Sequence, residues 1–98
     1  MYQKNDIPEI PGNPFMRSVP GNLIDGQVDI RYFRLLSTIC TVRNERMHQA
    51  LASVMVDGLT RREACERFGV SQSQFSIKYR HMQLVSHTVA RMLPFISA

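Results

Sequence analysis

Arg61 and Arg62 stand shortly before a polar run in which Gln72, Ser73, Gln74, Ser76, Lys78, Arg80 and His81 follow one another at close spacing. Glutamine bonds an adenine edge through two hydrogen bonds, serine contacts either base type, and lysine or arginine holds phosphate. The chemistry on offer is recognition of a nucleic acid, not bond making or breaking. A polar run on a helix face is also what plain solvation requires, so its weight depends on the elements that carry it.

Those elements are written in local signals. Thr60 and Glu63 have the spacing of a capping box, which predicts a helix starting at Arg61. Gly69 follows Phe68 and suits the left-handed residue that ends a helix, and Ser71 offers a new N-cap, so a second helix is expected from Gln72. Ala64, Phe68, Val70, Phe75, Tyr79 and Met82 fall on the inside of the resulting corner, with Phe75, Tyr79 and Met82 sharing one face. Cys65 is small enough for the two helices to approach closely. Two short helices about a glycine turn are the layout by which a helix-turn-helix unit offers its second helix to a DNA groove.

Charge coincides with this corner. The chain of 98 residues carries 12 basic and 8 acidic side chains, a formal +4. Basic and acidic residues cancel over 1–57, whereas 58–98 contain Arg61, Arg62, Arg67, Lys78, Arg80 and Arg91 against only Glu63 and Glu66. No acidic side chain follows Glu66, so the second helix would meet phosphate without repulsion.

The expected architecture is all-α: a small helical bundle with the helix-turn-helix unit in residues 28–98, preceded by a flexible arm in 1–27. Pro8, Pro11, Pro14 and Pro20 with Gly12, Gly21 and Gly26 oppose helix formation in that arm, although Ile7, Ile10, Phe15, Met16, Leu23 and Ile24 would let it lie along a partner subunit. From Asp29 to Cys40, the residues Phe33, Leu36, Ile39 and Cys40, widened by Leu35, form a helical stripe for the core or for a dimer seam. Asn44 caps a further helix carrying Met47, Ala50, Leu51 and Val54, ended by Gly58. A last helix around Ser86–Leu93, closed by Pro94, either continues from the second helix of the corner or bends away near Val85 and Ser86. A chain of this size has one core, and self-association as a homo-oligomer would add burial.

Other classes of function find little support. Cys40 and Cys65 are far apart, and His48, His81 and His87 lack ligand spacing, so neither a metal nor another cofactor is expected. There is no phosphate-binding glycine loop, no nucleophile elbow and no carboxylate pair, and Glu63 and Glu66 suit capping and the helix dipole; no enzyme and no small-molecule substrate is expected. No segment has the length of a membrane span or the apolar run of a signal peptide, and the thiols suit a reducing cytoplasm.

Arg34 to Leu36, the helix from Asn44 to Gly58, the run Thr60-Arg-Arg-Glu-Ala-Cys-Glu, Phe75-Ser76 and the closing Ala90-Arg-Met-Leu-Pro94 resemble the enterobacterial fimbrial (adhesin) biosynthesis regulators typified by PapB. The resemblance spans roughly residues 28 to 95. It implies a cytoplasmic, nucleoid-associated bacterial transcription regulator of a fimbrial operon, acting in phase variation or cross-talk between adhesin operons and binding AT-rich double-stranded DNA as an oligomer. By matching positions, Arg61 would be a phosphate or groove contact and Cys65 its packing support. Gln72-Ser73-Gln74 follows no fixed family pattern, which leaves the target sequence open. The family is associated with minor-groove binding, whereas the helix alone favours the major groove; an arginine-rich corner reading a narrow A/T groove would reconcile the two. Two rivals are a helical protein-interaction module of the sigma-factor or antitoxin-partner kind, with only non-specific DNA affinity, and an RNA binder. The second is disfavoured because Tyr32, Phe33, Phe68, Phe75 and Tyr79 all have core roles to fill.

Overall fold

The structure is a computed structural model that describes residues 20–96. Four helices follow in order: α1 (Ile30–Ile39), α2 (Glu45–Met55), α3 (Arg61–Phe68) and α4 (Gln72–Ile96). The expected all-α class holds, with no strand among the described residues.

Each helix starts where a short polar side chain can accept from an otherwise unpaired backbone N–H. Asp29 accepts from the Arg31 N–H at 2.8 Å, Asn44 from that of Met47 at 3.0 Å, and Ser71 from that of Gln74 at 3.0 Å. At α3 the capping box is complete: Glu63 N–H donates to Thr60 Oγ1 at 3.1 Å, and Thr60 N–H donates to Glu63 Oε1 at 3.0 Å. The exits are as local. Gly69 ends α3 at φ 67°, a left-handed conformation that side chains with a Cβ resist. Helix α2 gives way at Val56, two residues before the expected stop at Gly58.

The Asp29 cap sets a testable pH dependence. Hydrogen bonds from the Arg31 side chain and backbone hold the Asp29 carboxyl down at about 2, from an ordinary 3.8. Its stabilising effect is therefore full above the unfolded-state value and is lost as pH falls through about 2. Melting curves of the wild type and Asp29→Ala should be separated at about pH 6 and converge near pH 2; a constant gap would place the effect of Asp29 outside its charge.

The core lies between α2 and the inner faces of the other three helices. Phe33 and Leu36 of α1, Leu51, Val54 and Met55 of α2, and Phe75 and Met82 of α4 are almost wholly removed from solvent. Ala64 and Cys65 are also buried, and α3 packs against both α2 and α4. Phe33, Leu36 and Cys40 of the α1 stripe are in this core, but Leu35 and Ile39 are 65% and 57% exposed. Among the described residues, no helix packs against their side of α1 to complete the wide stripe that the spacing suggested.

Helix α4 continues without interruption through Val85 and Ser86, which settles the alternative left open by the sequence. Tertiary contacts anchor that region: Ser86 is fully buried and its hydroxyl pairs with that of Tyr32 at 2.7 Å. The helix also runs two residues past Pro94, the expected stop. Proline has no N–H to give to the carbonyl four residues back, a loss that matters least in a final, exposed turn.

The segment expected as an arm divides at residue 20. Residues 1–19 lie outside the described residues. Residues 20–27 are docked, so the folded part begins before position 28. Leu23 N–H donates to Gln83 Oε1 at 3.0 Å while Gln83 Nε2 donates to the Leu23 carbonyl at 2.9 Å, and the Leu23 side chain is buried. Gly26 N–H reaches the Val54 and Met55 carbonyls at the end of α2. Gly21 passes so close to α4 that a Cβ there would stand 2.5 Å from the Ser86 carbonyl oxygen. Glycine is required at that crossing by contact as well as by its φ of 83°.

Candidate nucleic-acid interface

Helices α3 and α4, joined through Gly69, Val70 and Ser71, form the corner that the sequence indicated. Phe75 is wholly buried inside it, and Cys65 is buried on the facing side of α3. Burial pushes the Cys65 thiol up from its ordinary pKa, against the opposing influence of the Arg61 charge, so the residue acts as a small apolar group at neutral pH.

Arg61 is the most constrained of the candidate DNA contacts. Its guanidinium donates to Ser76 Oγ at 3.1 Å and lies 4.9 Å from the ring centre of Tyr79 and 5.7 Å from that of Phe75. The two rings are themselves stacked, 5.9 Å apart with planes at 28°. A cation over an aromatic face at an exposed site gains about 0.5–1 kcal/mol, enough to favour one orientation of a long side chain. Tyr79 is fixed in turn by donating its hydroxyl hydrogen to Asp25 Oδ1 at 2.7 Å, and burial followed by the Asp25 carboxylate raises its pKa to about 12. The docked 20–27 segment thus supports the platform beneath Arg61.

The other candidates are less bound. Arg62 makes a long 3.5 Å pair with Glu66, and both side chains are well exposed; such pairs contribute little and leave the arginine available to another anion. Gln72, Ser73, Gln74, Arg80 and His81 are exposed on α4, while Ser76 and Lys78 are partly covered. A helix turns 100° per residue, so Ser73, Ser76 and Arg80 sit on one outward arc, whereas Gln74, Lys78 and His81 lie around the other side. The sequence list is therefore not one contiguous row. Ile77 lies between the two groups and is 59% exposed, a residue the sequence reading did not select. Asp25 was also missed, and Tyr79 was read only as core; an ordinary aromatic spacing carries no sign that the ring supports a cation.

No carboxylate interrupts α4, and among the described residues no group of three or more metal-binding side chains exists. Nor is any described helix long and apolar enough to cross a membrane. Fold and site define a small all-helical protein built around a helix-turn-helix corner with a cationic edge. The chain belongs to the PapB family, the adhesin biosynthesis transcription regulatory proteins, which it matches over residues 12–96. It is a member of a family of transcription regulators, not of enzymes.

Similarity to individual proteins agrees. The AFA-III adhesin operon regulatory protein of Escherichia coli is 43% identical over 75 residues, 76% of this chain and 74% of that one. The F1845 adhesin operon regulatory protein of Escherichia coli is 43% identical over 72 residues, 74% of this chain and 85% of that one. The fold is shared with the crystal structure of Escherichia coli FocB, with a TM-score of 0.71 at 24% sequence identity, covering 86% of this chain and 93% of that one.

Proposed function

We propose that this protein regulates transcription of a fimbrial or adhesin operon by binding AT-rich double-stranded DNA as a homo-oligomer in the bacterial cytoplasm, associated with the nucleoid. The observation that carries the reading is the pre-set Arg61 guanidinium beside the exposed N-terminal turns of α4, on an element with no acidic side chain. A fixed planar cation contacts phosphate or enters a narrow A/T groove at less entropic cost than a free one. Gln72, Ser73, Gln74, Ser76, Arg80 and His81 supply base and backbone contacts, with Lys78 at the edge, and Arg62 adds to the charge of α3. Thr60, Glu63, Cys65, Gly69 and Phe75 hold the corner in shape.

Self-association is favoured by apolar side chains that the single chain leaves uncovered. Leu35 and Ile39 are one turn apart on α1 and each is more than half exposed.

Titration of AT-rich and GC-rich duplexes at two salt concentrations tests the reading. Tighter binding to the AT-rich duplex and a steep decline with salt are expected, because displaced counterions accompany every phosphate contact. Equal, salt-insensitive binding of both would instead support the protein-interaction module.

A further inference from the structure

We propose that Arg43, Arg46 and Lys78 form a second phosphate-binding flank, across the exposed face of α4 from Arg61, so that the corner grips both backbones bordering a DNA groove. The inference rests on the DNA-binding reading and adds residues and a geometry to it.

Ser76 and Lys78 are two residues apart on α4 and hence about 200° apart around its axis. They mark opposite edges of one outward face. The Ser76 edge is occupied by Arg61, whose guanidinium bonds the Ser76 hydroxyl. At the Lys78 edge, the loop before α2 and the first turn of α2 meet the Gly69–Ser71 turn, and an open groove runs between them. Arg43, Arg46 and Lys78 line it, together with Asn44, Ser71 and Gln74, and none of its lining residues is acidic. Arg46 Nη1 lies 3.9 Å from where a Cβ on Gly69 would stand, which puts its charge at the turn itself.

Charge balance argues for an anionic occupant. The salt bridges among the described residues join Arg31 to Asp29 and Arg62 to Glu66, and neither involves the three cations of the groove. Arg43 and Arg46 are exposed, and Lys78 is partly covered. Three cations from a loop and two helices line one groove, and the nearest acidic residue in the chain, Glu45, is not among its lining, so the groove concentrates positive charge where an anion can enter. A duplex offers what this layout fits: two phosphate rows on either side of a groove, with the exposed residues Ser73, Ile77 and Arg80 facing the base edges between them. The linear charge count conceals the flank, because Arg43 and Arg46 fall in the part of the chain where the two signs cancel.

The test is fluorescence anisotropy of an AT-rich duplex with the full chain over a range of salt, comparing wild type, Arg43→Gln/Arg46→Gln, Lys78→Gln, Arg43→Lys/Arg46→Lys, and Arg34→Gln as a cation on α1. Circular dichroism checks that each variant is folded. Each lost phosphate contact lowers the slope of log affinity on log salt by about 0.9, so the double glutamine variant should flatten it by about two and bind at least tenfold more weakly. Lys78→Gln should flatten it by about one, and both the double lysine variant and Arg34→Gln should keep the wild-type slope. A folded double glutamine variant with the wild-type slope overturns the second flank while leaving DNA binding intact, and so does an equal loss of slope in Arg34→Gln. A wild type that shows no salt-dependent duplex binding overturns the DNA reading itself, and the flank with it. Weaker binding at an unchanged slope would mean that the groove acts through an uncharged contact and would also overturn the proposal.

Discussion

Arg61→Ala is expected to weaken binding to an AT-rich duplex by about 1–3 kcal/mol, a five- to 150-fold loss, while leaving the fold intact. Position explains why one surface arginine should matter so much. The guanidinium is held by Ser76 and by the faces of Tyr79 and Phe75, so its placement is largely settled before DNA arrives. An unconstrained surface cation must lose rotamer freedom on binding; this one has lost much of it on folding. The substitution removes two cation–aromatic contacts, over Tyr79 and Phe75, and one exposed hydrogen bond, together roughly 1–2 kcal/mol of stability.

Companion variants separate charge from placement. Arg61→Lys keeps the charge but loses the planar fork and the stacking of a guanidinium, so the salt slope should persist while affinity falls part of the way. Tyr79→Phe keeps the ring and removes the hydroxyl that bonds Asp25, which should loosen the platform without altering the charge. Electrophoretic shift or anisotropy titrations at two salt concentrations would measure all three. Wild-type affinity in Arg61→Ala at both salts would remove Arg61 from the interface.

The elements of this fold that could be read from the sequence depend on contacts within a few residues. Asn44, the Thr60 and Glu63 box, Gly69 and Ser71 act on backbone groups within three or four positions, and all occupy the predicted roles. What could not be read depends on distant partners. The continuity of α4 through Ser86 is tied to Tyr32, and the docking of residues 20–27 to Gln83, pairings across 54 and 60 positions. Leu23 sits among prolines and glycines, where composition suggests a free arm, yet two hydrogen bonds from a single glutamine side chain satisfy both of its backbone groups. The same limit applies to the candidate site: Arg61 and Ser76 were both named from sequence, but the Tyr79 and Asp25 support that orients Arg61 is a tertiary contact.

Phe75→Ala should cost about 3–5 kcal/mol, the largest loss of stability expected at this site, because it empties a ring-sized volume in a fully enclosed position. Total stability for a domain of this length is roughly 5–15 kcal/mol, so the variant would stand near the limit of folding. At about 4–8 °C per kcal/mol, its melting temperature should drop by roughly 12–40 °C. Loss of DNA binding in such a protein would say little about the site. Phe75→Leu supplies the separation: it retains most of the apolar volume, at a cost of about 1 kcal/mol, but has no aromatic face to place beneath Arg61. It should unfold cooperatively a few degrees below the wild type and still bind DNA more weakly, with an unchanged salt slope since no charge is lost. Thermal melts by circular dichroism, followed by duplex titration well below the transition, would check both effects. Full affinity in a folded Phe75→Leu protein would show that Tyr79 and Ser76 alone suffice to orient Arg61, and a Phe75→Ala protein melting within about 3 °C of the wild type would contradict the enclosed core position itself.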